Sequence, residues 1–485
     1  MKLYERLAQD LSSLIRSGAL APGDRVPSVR EISRERHVSV ATVLHAYELL
    51  LEQGYIETRP RSGYYVAGAW REALRRAHAL PQITRPAMRS TRIDVSELIF
   101  EVLESLSDRA VVPFGSAFPS PLLFPLKKLA ASLSHSARGM DPWATLDDLP
   151  AGTEELRRQI ARRYLRAGAY VSPDEIIITN GALEALNLSL QALTRPGDLV
   201  AIESPAFYGC LQAVEALGLK AIEIPTHPAA GIDLASLATV LTRHPVKACW
   251  LMTTFQNPLG ASMSDAARQD LVRLLDKHDV PLIEDDVYAE LYFQRRPKST
   301  KEFDRRGMVL NCGSFSKSLA PGYRIGWVAA GRFAQRVARR KMMSSLSASI
   351  PAQRALALYL RQGGYDRHLA AVRRALAAQK TALISALHAH LPPEARLTQP
   401  EGGYFLWVEL PRPVVAIDLH RAALEHGFSV APGPIFSARR QYENCLRLNY
   451  GHAWSAQAER AVRSLSALIR TARGSHSAAA SSTSG

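Results

Sequence analysis

Five short apolar runs punctuate the middle of this 485-residue chain: IIIT (176–179), LVAIE (199–203), KAIEI (220–224), KACWLM (247–252) and PLIE (281–284), with helix-length segments between them. Strands that are apolar throughout and alternate with helices bury both faces in a mostly parallel sheet covered on each side. An α/β fold is therefore expected from about residue 111 onward. Beyond about residue 363 a long helix, the strand YFLWVEL and another helix predict a smaller α+β lobe. The chain exceeds the size at which one core stops growing, so at least two folding units are expected.

The first 66 residues follow a different pattern. Leu3, Leu7, Leu11, Leu14 and Ile15 recur at helical spacing before APGDR breaks the helix. Ser28 and Glu31 have capping-box form and start a second helix. Ser39 is placed to cap a third, with Val43, Tyr47, Leu50 and Leu51 as its apolar stripe. YIETRPRSGYYVAG then alternates and turns at Arg61-Ser62-Gly63, the pattern of a β-hairpin wing. Two helices joined by a tight turn can set the second in the major groove of DNA while a wing rests on the backbone. The candidate DNA-binding residues are then Arg30 and Arg34 before the turn, Thr42 and His45 on the recognition helix, and Arg59 and Arg61 at the wing.

These patterns divide the chain into a DNA-binding domain (1–67), a basic linker with one short helix (68–110), a large domain (111–473) and a low-complexity, disordered tail (474–485). The net charge of +15 suits a polyanionic partner, but it is unevenly placed. Residues 1–66 hold nine Lys and Arg against eight Asp and Glu, whereas 71–92 hold six Arg against Glu72 alone. Phosphate contact and a merely solvated linker both fit that excess. No apolar run is long enough to span a bilayer, and MKLYERLAQDL places charges where a secretory signal needs an apolar stretch. Cys210, Cys249, Cys312 and Cys445 lack CxxC spacing, which argues against a disulfide framework and against zinc; a cytoplasmic protein with no metal is the expectation.

The most specific string is SFSKSLAPGYRIGW (314–327). A lysine in a Ser-rich turn with an arginine seven residues on meets two needs of pyridoxal 5′-phosphate (PLP) chemistry. Lys317 would form the Schiff base, and Ser314, Ser316 and Arg324 would hold the phosphate. Thr179-Asn180-Gly181-Ala182 follows a strand and opens a helix, so backbone N–H groups at Gly181 and Ala182 can take a phosphate. Phe207 can stack on the pyridine ring, with Tyr208 as a rival, and Asn257 can donate to the phenolic oxygen. Asp285 ends an apolar run, where a carboxylate is costly without a charged partner such as a protonated pyridine nitrogen. The Asp-x-x-Tyr spacing to Tyr288 favours it over Asp286. Arg447, in the apolar strand CLRLNYG, can clamp an α-carboxylate or serve a structural ion pair.

PGDRVPSVREIS and HVSVATVLHAYELLLEQGYIETRPRSGYYV resemble the winged helix-turn-helix of the GntR family, although Val40, Leu44 and His45 stand where many members carry arginines. The cofactor strings together resemble the fold-type I, class I/II aminotransferase domain over roughly residues 111–470. The resemblance implies Lys317, Asp285 and Tyr288 as the catalytic set, with Asn257, Gly181, Ala182, Phe207, Ser314, Ser316 and Arg324 completing the PLP site and Arg447 at the substrate carboxylate. Asp147 stands near where many such enzymes place a tyrosine. The order winged helix, linker, aminotransferase domain resembles the MocR subfamily of GntR regulators. It implies a PLP-dependent homodimeric transcription regulator that binds a double-stranded DNA operator and senses an amino acid or PLP-related effector. The alternative is a working aminotransferase fused to a DNA-binding domain.

Overall fold

The computed structural model describes the chain apart from residues 1–2, 18–19, 22, 53–54, 60–62, 68–77, 105–109, 144–145, 147–148 and 483–485. It forms two compact units: residues 1–78 with 381–393, and residues 79–380 with 394–485.

In the first unit, α1 (Leu3–Ser17), α2 (Val29–Glu35) and α3 (Val40–Glu52) precede a hairpin of β1 (Ile56–Arg59) and β2 (Gly63–Val66). Ser28 and Glu31 make the expected capping box, with Glu31 N donating to Ser28 Oγ (3.2 Å) and Ser28 N to the Glu31 carboxylate (2.7 Å). Ser39 Oγ accepts from Thr42 N (3.1 Å), so α3 starts where its cap predicts. Leu7, Leu11, Ile15, Ile32, Val43, Tyr47, Leu50, Ile56 and Val66 form one core. Of the apolar repeat in α1, Leu3 and Leu14 face solvent instead. The hairpin pairs antiparallel, with Ile56 opposite Val66 and Arg59 opposite Gly63.

The second unit is built on a nine-stranded sheet. β3 (Thr91–Arg92) is followed by β4 (Ile176–Thr179), β5 (Leu199–Ser204), β6 (Lys220–His227), β7 (Gly231–Ile232), β8 (Val246–Leu251), β9 (Leu282–Asp285), β10 (Val309–Ser314) and β11 (Gly326–Ala329). The order is β3-β6-β5-β8-β9-β10-β11-β4, with β7 paired to β6. The ladder is parallel from β6 through β10 and antiparallel at β11 and β3. The apolar runs become strands because both of their faces are covered; Ile283, Leu310 and Val328 are fully buried. A smaller antiparallel sheet follows the long helix Gly364–His390: β12 (Arg396–Leu397), β13 (Phe405–Glu409), β14 (Ala431–Pro432) and β15 (Cys445–Asn449), in the order β12-β13-β15-β14.

Two expectations are corrected. Residues 79–104, read as linker, belong to the large unit. β3 pairs with the edge strand β6, and Val95, with Ile99 and Val102 of the helix Ser96–Glu104 that follows it, is buried in the core. Arginines and prolines draw attention away from that helical stripe, yet its burial decides the structure. The last helix, Ala456–Ser482, also runs through the stretch read as a disordered tail. There the helix propensity of Ala478–Ala480 prevails over low complexity.

Candidate functional site

In a parallel sheet the carboxyl ends of the strands open together, and the loops that leave them build a site. Here the loops after β4, β5, β8 and β10 carry Gly181, Phe207, Asn257 and Lys317, and Asp285 is the last residue of β9. Lys317 Nζ donates to the carbonyl of Ala117 (3.0 Å) and sits 3.7 Å from the centroid of the Phe118 ring. Burial, then the nearby Arg447 charge, push its amine down to about 7, against the opposing pull of Asp285. A lysine so placed is substantially a neutral nucleophile near neutral pH.

Asp285 is 1% exposed, and burial pushes its carboxyl up to about 7. Its Oδ1 has no hydrogen-bond partner among the described residues. Nor has Asn257 Nδ2, although Asn257 Oδ1 accepts from Arg447 Nη1 (3.3 Å). One orphaned acceptor and one orphaned donor, both buried, need an explanation. A pyridine ring with a protonated nitrogen and an ionised phenolic oxygen supplies the complement of each, so these residues fit PLP. Tyr288 is buried nearby, edge-on to Tyr404 (5.3 Å) and Phe405 (5.7 Å). Asp286 extends into a different network, accepting from Asn311 Nδ2 (3.2 Å).

The phosphate candidates also converge. Arg324 Nη1 donates to Ser316 Oγ (3.3 Å) and Ser316 N to Ser314 Oγ (3.0 Å), while Arg324 Nη2 reaches Asn180 O (3.5 Å). Gly181 caps the helix Ala182–Leu193 at φ +84°, and a Cβ there would lie 2.5 Å from Arg324 Nη2. A Cβ on Gly326 would meet Gly181 C at 2.5 Å and Ala182 N at 2.7 Å, so β11 admits this loop only through a glycine. The Glu184 carboxylate, unmarked in the sequence reading, already takes Asn180 N (2.5 Å). Gly181→Ala is expected to lower stability by about 1–3 kcal/mol through its left-handed backbone, read from the urea unfolding midpoint, and to shift Arg324 from the cup.

Phe207 is half-buried and Tyr208 buried, their rings 4.8 Å apart, and Tyr208 is among the groups that interact with Arg447. Arg447, on β15, is fully buried between Phe405 (4.3 Å) and Phe436 (5.3 Å). Its Nη2 donates to the carbonyls of Gly115 (2.6 Å) and Ser116 (3.2 Å), and its Nε has no partner among the described residues. Among the described residues no ion pair holds it, so the structural alternative raised from sequence takes another form: main-chain carbonyls. The strap Gly115–Phe118 is itself held by Asn449 Nδ2, which donates to Ser116 O (2.9 Å) and Phe118 O (2.7 Å), and by Tyr404 OH on Ala117 O (3.2 Å). Sequence reasoning missed the strap, Tyr404 and Asn449, because no local motif joins residues more than 280 positions apart.

The former linker is anchored beside this site. Thr84 Oγ1 donates to Ser204 O (2.6 Å) and accepts from Thr226 N (2.8 Å), at the end of the strand that leads to Phe207. Arg439 Nε donates to Thr91 Oγ1 (3.0 Å) and Arg440 Nη2 to Asp94 O (3.1 Å), while Ala206 N donates to Phe436 O (2.8 Å). One small-lobe segment thus touches both the linker and the loop of Phe207.

On the first unit Arg30, Arg34, His45 and Arg59 are exposed and Thr42 is half-buried. The Thr42 hydroxyl is engaged with Ser39 Oγ (2.8 Å). Arg59 pairs with Glu57 (3.1 Å) and lies over the Tyr65 ring (4.3 Å). Arg61 and Asp147 lie outside the described residues. All four cysteines are free and buried. Among the described residues no helix is long and apolar enough to cross a membrane.

Comparison with known families decides what these two units are. The profile "Bacterial regulatory proteins, gntR family" matches residues 3–66, and "Aminotransferase class I and II" matches residues 149–465. The chain is a GntR-family regulator with a class I/II aminotransferase domain. This regulator is 49% identical to the uncharacterized HTH-type transcriptional regulator YdcR of Escherichia coli, over 97% of its own length and 99% of that protein's. It is 32% identical to the 2-aminoadipate transaminase of Thermus thermophilus over 73% of its length and 88% of the enzyme's. Among solved structures it superposes on the multiple substrate aminotransferase of Thermococcus profundus with a TM-score of 0.74 at 28% identity, covering 79% of this chain and 96% of that one. Whole-length similarity to regulators and partial similarity to transaminases is the architecture that the MocR resemblance implied.

Proposed function

We propose that the GntR-family regulator binds PLP in its aminotransferase domain and controls transcription at a double-stranded DNA operator in response to an amino acid or PLP-related effector. The observation that carries this reading is the pair of orphaned buried atoms, Asp285 Oδ1 and Asn257 Nδ2, in the site that also holds a lysine whose pKa is depressed. PLP supplies an aldehyde that captures amines and an electron-withdrawing ring. Lys317 would hold it covalently, with Asp285 at the pyridine nitrogen, Asn257 and Tyr288 at the phenolic oxygen and Phe207 over the ring. Gly181, Ala182, Ser314, Ser316 and Arg324 would bind the phosphate, and Arg447 an effector carboxylate. Arg30, Arg34, Thr42, His45, Arg59 and Arg61 are the proposed DNA contacts.

An effector alters DNA binding only if it favours one of two arrangements of the protein. The contacts of Phe436, Arg439 and Arg440 with Ala206, Thr91 and Asp94 support a route by which a small-lobe shift would reach the chain segment leading to residue 78. A cytoplasmic homodimer completes the reading. Leu122 (91% exposed), Met343 (79%) and Trp143 (75%) are large apolar side chains that a second copy would cover.

Titrating amino acids against operator binding, with PLP absorbance followed in parallel, tests the proposal. The expected result is a change in DNA affinity of roughly 5- to 150-fold with negligible turnover of amino donor and keto acid. Rapid transamination with unchanged DNA affinity would replace this reading by that of an enzyme fused to a DNA-binding domain.

A further inference from the structure

The recognition helix α3, VATVLHAYELLLE, contains no lysine or arginine. Its exposed face reads Val40, Ala41, Leu44, His45 and Glu48. Val40 is 48% exposed and Leu44 39%; they stand one turn apart on the same side of the helix. Elsewhere on the unit Arg30, Arg34, Arg36 and Arg59 are exposed, interspersed with exposed acids such as Glu31 and Glu35, so the cations available for phosphate lie off this helix. Thr42 is half-buried and its hydroxyl is bonded to Ser39 Oγ.

Guanine is read in the major groove mainly by a guanidinium or ammonium group that bridges O6 and N7. This helix has neither. Beside His45 and Glu48 it presents to a groove the methyl groups of Val40, Ala41 and Leu44, and thymine alone among the bases displays an apolar group there, its 5-methyl. We propose that Val40 and Leu44 are specificity residues that pack on thymine 5-methyl groups of the operator, with the surrounding arginines confined to phosphates. The inference rests on DNA binding by the winged helix and adds the base chemistry that the helix reads. Such an interface gains specificity from burying methyl groups and affinity from neutralising phosphates, so the two respond to different perturbations.

The test uses the full-length, PLP-loaded chain and a random-sequence duplex pool. Enriched duplexes are expected to carry thymine at fixed positions in each half-site. Replacing those thymines by uracil, which lacks only the 5-methyl, should weaken binding about fourfold per methyl group. Val40→Arg and Leu44→Arg, both at exposed positions where folding is not at stake, should move the preference from thymine towards guanine. The inference is overturned if uracil substitution leaves affinity unchanged, if guanine is already selected by the native chain, or if no sequence is enriched. In each of those cases persistent salt-dependent binding would leave the DNA-binding reading standing, whereas absence of binding to any duplex would remove both.

Discussion

Borohydride treatment of the Lys317→Ala chain in the presence of PLP is expected to leave no cofactor on the protein, whereas the native chain retains it at Lys317. The native capture rate should also carry a pH signature. Only the neutral amine attacks an aldehyde, and the amine of Lys317 is pushed down to about 7. At pH 8 about nine-tenths of it is neutral, at pH 7 about half and at pH 6 about one-tenth, so capture should fall roughly fivefold from pH 7 to 6, about tenfold per unit below that, and level off above 8. An ordinary lysine would still be gaining reactivity above pH 9. Visible absorbance after mixing apo chain with PLP reads the profile; a rate that keeps climbing through that range, or a reducible adduct on Lys317→Ala, would sink the assignment.

Arg447→Ala should abolish the response to amino acids while the chain still captures PLP, with the pH profile of Lys317 moved upward, and keeps its basal DNA affinity. Removing one partner of a buried charge-assisted pair costs about 2–5 kcal/mol, roughly 30- to several thousandfold in ligand affinity. A titration followed by PLP absorbance measures that loss. If the variant still responds at the native ligand concentration, Arg447 holds no carboxylate and its purpose is to tie down the strap.

Much of the candidate site was legible because its parts are local strings. SFSK, Asp-x-x-Tyr and Asn-Pro each set a side chain at the mouth of one strand, and a parallel sheet brings strand mouths together without further instruction. What escaped notice depends on pairings between distant segments. Gly115–Phe118 has no chemical signature, and its importance appears only when its carbonyls are seen on Arg447 and Lys317. The linker was misjudged for a related reason: the six arginines of 71–92 dominate its charge pattern, but Val95, Ile99 and Val102 contribute burial. At the DNA-binding end, capping residues fixed the helix starts in advance, since a cap is a local hydrogen bond that sequence spacing alone determines.

The strap gives the proposed sensor a threshold. Gly115 and Ser116 present to Arg447 two oxygens from the main chain, much as a bound carboxylate would. If Arg447 holds an effector carboxylate as proposed, an arriving amino acid would compete with a resident mimic that is covalently part of the protein and never diluted. Its apparent affinity falls by the fraction of molecules in which the mimic is lifted away, so the intrinsic strength of the arginine–carboxylate contact is partly masked. Trace amounts would leave the strap seated; only a ligand abundant enough to outcompete it would register. Loosening the strap at Asn449, which holds Ser116 and Phe118 and is remote in sequence from every cofactor motif, would move that set point without touching a residue that meets the ligand.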